Sequence, residues 1–231
     1  MIPIQSNSMS SKARLTLAAA LSRNFPSCEK SGSSVAGFRI FLLLLINCYT
    51  PVFLIWSGVI PFAYRFYVLG FVLLSFIVHS VHSGYRPRDL GFTLEQSWNS
   101  VRWNVLFCTI GGMGLYLTYR AGWLMPRESD YSLACFLFYI VILGPVQELI
   151  FRGILFAEMK RCRNITPQMM VLISTLTFSY LHIIYNHPAL LLITFVSGLV
   201  WGSIYLRYPS IWGISLSHSL LGALAMFLGV L

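Results

Sequence analysis

Seven stretches of this chain are each about 20 residues long and almost wholly apolar, which is the length a helix needs to cross a bilayer. Lipid offers the backbone no hydrogen-bond partner, so a spanning chain folds either as helices or as a closed barrel. Barrel strands alternate apolar and polar residues, whereas these runs are continuous. The expected class is therefore all-α, a polytopic membrane helix bundle of about seven transmembrane helices. The spans are expected at 36–59, 66–83, 103–121, 131–159, 167–186, 189–206 and 211–231. Composition agrees: 57% of residues are hydrophobic and 10% charged, against about 25% charged in soluble domains.

Three regions follow from this pattern. Residues 1–34 form a polar, Ser-rich, basic tail, and its apolar run Leu15–Leu21 is short for a cleaved leader. Residues 35–130 hold the N-terminal transmembrane helices, and 131–231 form a four-helix membrane core. The polar turn Tyr85–Asp89, the charged loop Arg127–Asp130 and the basic loop Lys160–Arg163 separate spans, as do breaks at His187-Pro188 and Tyr208-Pro209. No internal repeat is visible, which speaks against an inverted-repeat transporter.

The net charge of +9 does not imply nucleic-acid binding, because the basic residues lie between the apolar runs, where membrane topology puts them. Of the 16 Lys and Arg residues, Arg65, Arg120 and Arg127 fall on one side, Arg152 falls within the membrane, and the other twelve fall on the opposite side. The positive-inside rule then places the N-terminus in the cytoplasm. The five cysteines include no Cys-x-x-Cys pair, so neither a disulfide framework nor a zinc-thiolate site is expected.

Ionisable residues inside a bilayer are costly and mark function. Glu148, Arg152, His182 and His218 lie on three of the expected spans. Glu148 and Arg152 share one helix face, and the guanidinium can hold the carboxylate ionised. The turn near Asn164 lies 16 residues after Glu148 and 18 before His182, so antiparallel helices bring the two to a similar depth. Gly144-Pro145 just ahead of Glu148 interrupts the helix ladder, and non-helical backbone at this depth is tolerated where it lines a cavity. Gly198 and Gly202 are read as close helix packing only.

Gln147-Glu148-Leu149-Ile150-Phe151-Arg152-Gly153, then Phe178-Ser179-Tyr180-Leu181-His182, then His218, resemble the motifs of the CPBP family of CAAX-prenyl-protease-type intramembrane endopeptidases, also called Abi proteins. That family carries Glu-Glu-x-x-x-Arg, Phe-x-x-x-His and His-x-x-x-Asn/Asp on successive helices, and Asp89-Leu90-Gly91-Phe92 resembles its segment ahead of the core. The resemblance implies a metal-free, cofactor-free glutamic mechanism acting on a membrane-embedded or membrane-anchored peptide. It implies water activation by a Glu with His182, an oxyanion contact from His218, and an Arg152 that sets the charge state and orientation of Glu148.

Two positions depart from the pattern. Gln147 stands where the family has its first Glu, and Gly222 stands where it has Asn or Asp. The leading expectation is peptide hydrolysis with Glu148 and His182 activating water and His218 stabilising the oxyanion. The alternative is a catalytically impaired membrane binding or immunity-type protein. A zinc site from Glu148, His182 and His218 is the rival chemistry, disfavoured because no His-x-x-x-His pair is present. Glu148 lies about 24 Å along a helix from the Asn164 turn, which leaves open the membrane face on which the site lies.

Overall fold

The computed structural model describes residues 34–124 and 131–230. The polar N-terminal tail before Ser34 and the charged loop Arg127–Asp130 lie outside the described residues. Within them the chain is helical, with no strand. Seven helical elements follow in order: α1 Ser34–Trp56, α2 Arg65–His82, α3 Ser97–Arg120, α4 Leu133–Met159, α5 Pro167–Leu181, α6 Pro188–Arg207 and α7 Ile211–Phe227.

Five of these, α1, α2, α4, α6 and α5 with its following turn, are long and apolar enough to cross a membrane. The remaining two pack along each other, and each departs from the simple pattern. Helix α7 is apolar but has 17 residues. Helix α3 has 24 residues and starts at Ser97, ahead of the expected 103, so its first turns carry Asn99, Arg102 and Asn104. Burial against α7 accounts for part of that polarity, because Ser100 and Asn104 are enclosed. Gly213 of α7 makes the close approach possible: a Cβ there would come within 2.9 Å of Ser100 Oγ and the Val101 nitrogen. Elsewhere large apolar side chains, among them Leu43, Phe71, Ile110 and Leu192, face outward, as a lipid-facing surface requires.

The turns sort to two ends. At one end Arg161 Nη2 donates to the Ser83 carbonyl at 2.8 Å, and Tyr85 donates its hydroxyl to Glu158 Oε2 at 2.6 Å. Burial, and then that bond to the carboxylate, push the Tyr85 phenol above its usual range, so it stays protonated as a donor. Ser97 and Ser210 hydroxyls meet there too, at 3.0 Å, and Ile211 N–H donates to the Gly91 carbonyl at 2.9 Å. At the other end Trp56 Nε1 donates to Asn186 Oδ1 at 3.1 Å, and Phe62 packs on Tyr185.

Helix α4 is not a plain α-helix. It holds two π-helical stretches, Tyr139–Leu143 and Leu149–Ile154, around an α-helical Gly144–Glu148. Pro145 has no N–H to give to the turn before it, and wide π turns are the local solution, commonly at functional sites. Ser219 of α7 donates to the Ile140 carbonyl at 2.8 Å, across the position where Gly144 leaves no side chain in the way.

Candidate active site

Glu148 ends the α-helical piece between the two π stretches and is fully buried. Its Oε1 accepts from His218 Nδ1 at 2.6 Å and from Arg152 Nη1 at 3.1 Å. Arg152 is also fully buried. Its guanidinium lies 4.6 Å from the Phe178 ring centroid, and Nη2 reaches the Gly198 carbonyl at 3.4 Å. Gly198 thus does two things. It lets α6 meet α5, where a Cβ would come within 3.0 Å of Thr175, and its carbonyl helps hold the buried cation. Gly202 repeats the close approach against Val171.

Phe178 is the hub of the site. Its ring lies 4.9 Å from His182, 5.3 Å from His218, 5.6 Å from Phe151 and 5.9 Å from Trp201. Helix α5 ends at Leu181, and the His182 N–H turns to the Ser179 and Tyr180 carbonyls. The Phe178 carbonyl takes the His182 ring instead, with Nδ1 at 3.0 Å. A carbonyl only accepts, so Nδ1 carries the proton and Nε2 holds the lone pair. The same reasoning applies to His218, whose Nδ1 proton goes to the Glu148 carboxylate. Each imidazole is therefore left with an accepting nitrogen.

Two cavities meet at this point. The larger, about 490 Å³, is mostly apolar and is lined by α3, α6 and α7 residues together with Tyr139, Phe178, His182 and His218. The smaller, about 140 Å³, is lined by Arg65, Tyr139, Gln147, His182 and Tyr185 among others. His182 and Tyr139 border both. The smaller cavity lies toward the end of the bundle that carries the Phe62 and Tyr185 turns, opposite the Lys160–Arg163 loop.

The structure thus brings Glu148, Arg152 and His218 into direct contact, while His182 neighbours this group through Phe178, 4.9 Å from its ring. No hydrogen bond joins Glu148 to His182. Gln147, not Glu148, shares the smaller cavity with His182. Three polar atoms here, Gln147 Oε1, Glu148 Oε2 and Arg152 Nε, have no hydrogen-bond partner among the described residues. Glu148, His182 and His218 do not group as three ligands of one ion, and no other such group of His, Cys, Asp or Glu occurs among the described residues.

Residues not singled out from the sequence complete the site. Trp201 stacks on His218 at 4.7 Å and 20°. Its Nε1 donates to Ser217 Oγ at 2.7 Å, and Ser217 donates to Asn104 Oδ1 at 2.8 Å. These bonds hold the Trp201 ring of α6 where it stacks on the imidazole. Tyr139 approaches it from another side, with ring centroids 6.2 Å apart. An aromatic residue within an apolar run gives no sign in the sequence that it faces a cavity. Asn104 was the one legible signal, a polar residue within an expected span.

Neither a curated protein nor a solved structure matches the chain. A family model does match, over residues 129–224, which include α4 to the His218 turn of α7, and its description is type II CAAX prenyl endopeptidase Rce1-like. With five helices long and apolar enough to cross a membrane and the motifs in order along the matched segment, residues 129–224 of this multi-pass membrane protein are similar to the Rce1-like CAAX protease family.

Proposed function

We propose that the chain is an intramembrane endopeptidase that hydrolyses a peptide bond in a membrane-anchored or lipidated protein, with Glu148 acting through His218 and with His182 on the other side of the attacked carbonyl. The observation that carries this reading is the 2.6 Å bond from His218 Nδ1 to Glu148, buried beside Arg152 at the wall of the larger cavity. A carboxylate behind Nδ1 fixes the tautomer and stabilises the imidazolium that forms when Nε2 takes a proton. Arg152 offsets the carboxylate's charge and fixes its direction. The apolar cavity suits a lipid chain or an apolar peptide segment, in keeping with the prenyl-protein substrates in the family's description.

In this reaction a water oxygen adds to the carbonyl carbon as its proton passes to His218 Nε2. His182 Nε2 accepts the water's second hydrogen as a hydrogen bond and orients the attack. Collapse then breaks the carbon–nitrogen bond, and His218 returns the proton to the leaving amine. Expelling bulk water from the apolar site strengthens each of these contacts.

A second reading is favoured by one observation: the side chain next to His182 in the smaller cavity is the amide of Gln147. An amide has no basic form at neutral pH. In this reading the chain binds the same class of peptide and does not cut it. Cleavage of a prenylated, membrane-anchored reporter by the purified chain, by Glu148→Gln and by Gln147→Glu separates the two. The endopeptidase reading expects cleavage by the unaltered chain and a loss of about 10²–10⁴-fold in Glu148→Gln. The binding reading expects cleavage only in Gln147→Glu.

A further inference from the structure

The protons of both cavity-facing imidazoles are already committed. His182 gives its Nδ1 proton to the Phe178 carbonyl and His218 gives its own to Glu148. When a carbonyl at this site takes up water, the charge that develops on its oxygen needs a donor from elsewhere.

Tyr139 is the group placed to supply it. It opens the first π-helical stretch of α4, is 5% exposed, lines both cavities together with His182, and lies 6.2 Å from the His218 ring. Its hydroxyl makes no hydrogen bond to any described residue. The hydroxyl and ring edge fill the space beside Gly222, where any Cβ would collide with them. Gly222 lies one helical turn beyond His218, on the same face of α7, and borders the larger cavity. A large side chain on α4 thus occupies the volume that a side chain on α7 vacates, and it carries an uncommitted O–H into that volume.

We infer that the Tyr139 hydroxyl is the oxyanion donor of this site, in the place of a side chain at position 222. The inference rests on the endopeptidase reading. As the water oxygen bonds to the carbonyl carbon, the carbonyl π pair moves onto its oxygen, and Tyr139 holds that oxygen by a hydrogen bond while keeping its own proton. When the pair returns and the carbon–nitrogen bond breaks, the hydroxyl is left as it began. Gln147, on the smaller-cavity side, donates from its amide nitrogen to the same peptide.

The test uses the full chain in nanodiscs with Tyr139→Phe, which keeps the ring over Gly222 and removes only the hydroxyl. Two quantities are read: cleavage of the prenylated reporter peptide, and binding of the same peptide with a phosphinate in place of the scissile bond, compared with the plain peptide. We expect kcat to fall about 10²–10³-fold with KM little changed. Phosphinate binding should weaken at least tenfold, while plain-peptide binding stays level. Pairing a smaller residue with a new donor, Tyr139→Ala with Gly222→Asn, should recover part of both losses relative to Tyr139→Ala. Unchanged kcat and phosphinate affinity in Tyr139→Phe would overturn the inference, as would equal weakening of phosphinate and plain peptide. If the unaltered chain cuts nothing, the endopeptidase reading fails, and the phosphinate comparison still decides whether Tyr139 faces a tetrahedral anion. A chain that binds no phosphinate at all overturns both.

Discussion

His218 gives its Nδ1 proton to Glu148 at 2.6 Å, across 70 residues of sequence and between two helices. A bond this short between a carboxylate and an imidazole, with both side chains almost wholly enclosed, ties α4 to α7 at one point. On the proposed mechanism the two residues act as a single unit. Arg152 belongs to the same unit through its 3.1 Å bond to the shared oxygen.

Residues that act as a unit are not additive when removed singly and together. Glu148→Gln and His218→Ala should each lower kcat by about 10²–10⁴-fold, and the double variant should be little worse than either alone. Steady-state cleavage of the prenylated reporter by the four proteins measures this. Losses that multiply in the double variant would mean that the two side chains act separately.

Arg152 should matter to stability as well as to chemistry. Removing one member of a buried ion pair leaves an uncompensated charge and costs about 3–5 kcal/mol, whereas replacing both members by apolar groups is often close to neutral. Arg152→Leu should therefore lower the thermal midpoint in detergent sharply. Arg152→Leu with Glu148→Leu should regain most of that loss while remaining inactive.

The helix ladder between α5 and α6 gives a cleaner packing test. Gly198→Val would push a branched side chain into Thr175, where a Cβ alone already reaches 3.0 Å. Overpacking of this kind costs about 1–3 kcal/mol, and here it would also move the carbonyl that faces Arg152. Gly70 of α2 has nothing within 4 Å of the same construction, so Gly70→Ala should be neutral or gain up to about 1 kcal/mol from helix propensity. The thermal midpoints of the two variants should shift in opposite directions, or Gly70→Ala should not shift at all.

Much of this site was legible in the residues themselves. Apolar runs of bilayer length fix helices, the i,i+4 spacing pairs Glu148 with Arg152, and α4 and α5 meet on either side of the Asn164 turn, with Phe151 against Phe178. The helix starts were harder, because the polar first turns of α3 look like a linker until Ser100 and Asn104 are seen packed under α7. Least legible was the division of labour between Gln147 and Glu148. Neighbouring helical residues point about 100° apart, so only one of them faces the cavity, and the π turns on either side shift the phase in a way that no α-periodic count follows. Tyr139 and Trp201 were silent for a different reason: an aromatic side chain suits lipid, core and cavity equally.

The orientation of the bundle decides which compartment supplies the substrate. The loops that the basic-residue count assigns to the cytoplasm, 83–97, 160–166 and 207–210, gather at one end through the Arg161–Ser83, Tyr85–Glu158 and Ser97–Ser210 contacts. The smaller cavity lies toward the opposite end, and Cys135, an exposed thiol, is part of its wall. If the basic-residue count orients the bundle with its N-terminus in the cytoplasm, this cavity should face the outer side and a scissile bond should enter from there. A membrane-impermeant maleimide added outside intact cells or right-side-out vesicles should then label Cys135 in a Cys28→Ser background. Saturating reporter peptide should slow that labelling. Reporter fusions at the C-terminus should read the outer compartment in the same cells. Labelling only from the cytoplasmic side, together with a cytoplasmic fusion reading, would invert the bundle and make the site one for cytosolic lipidated tails.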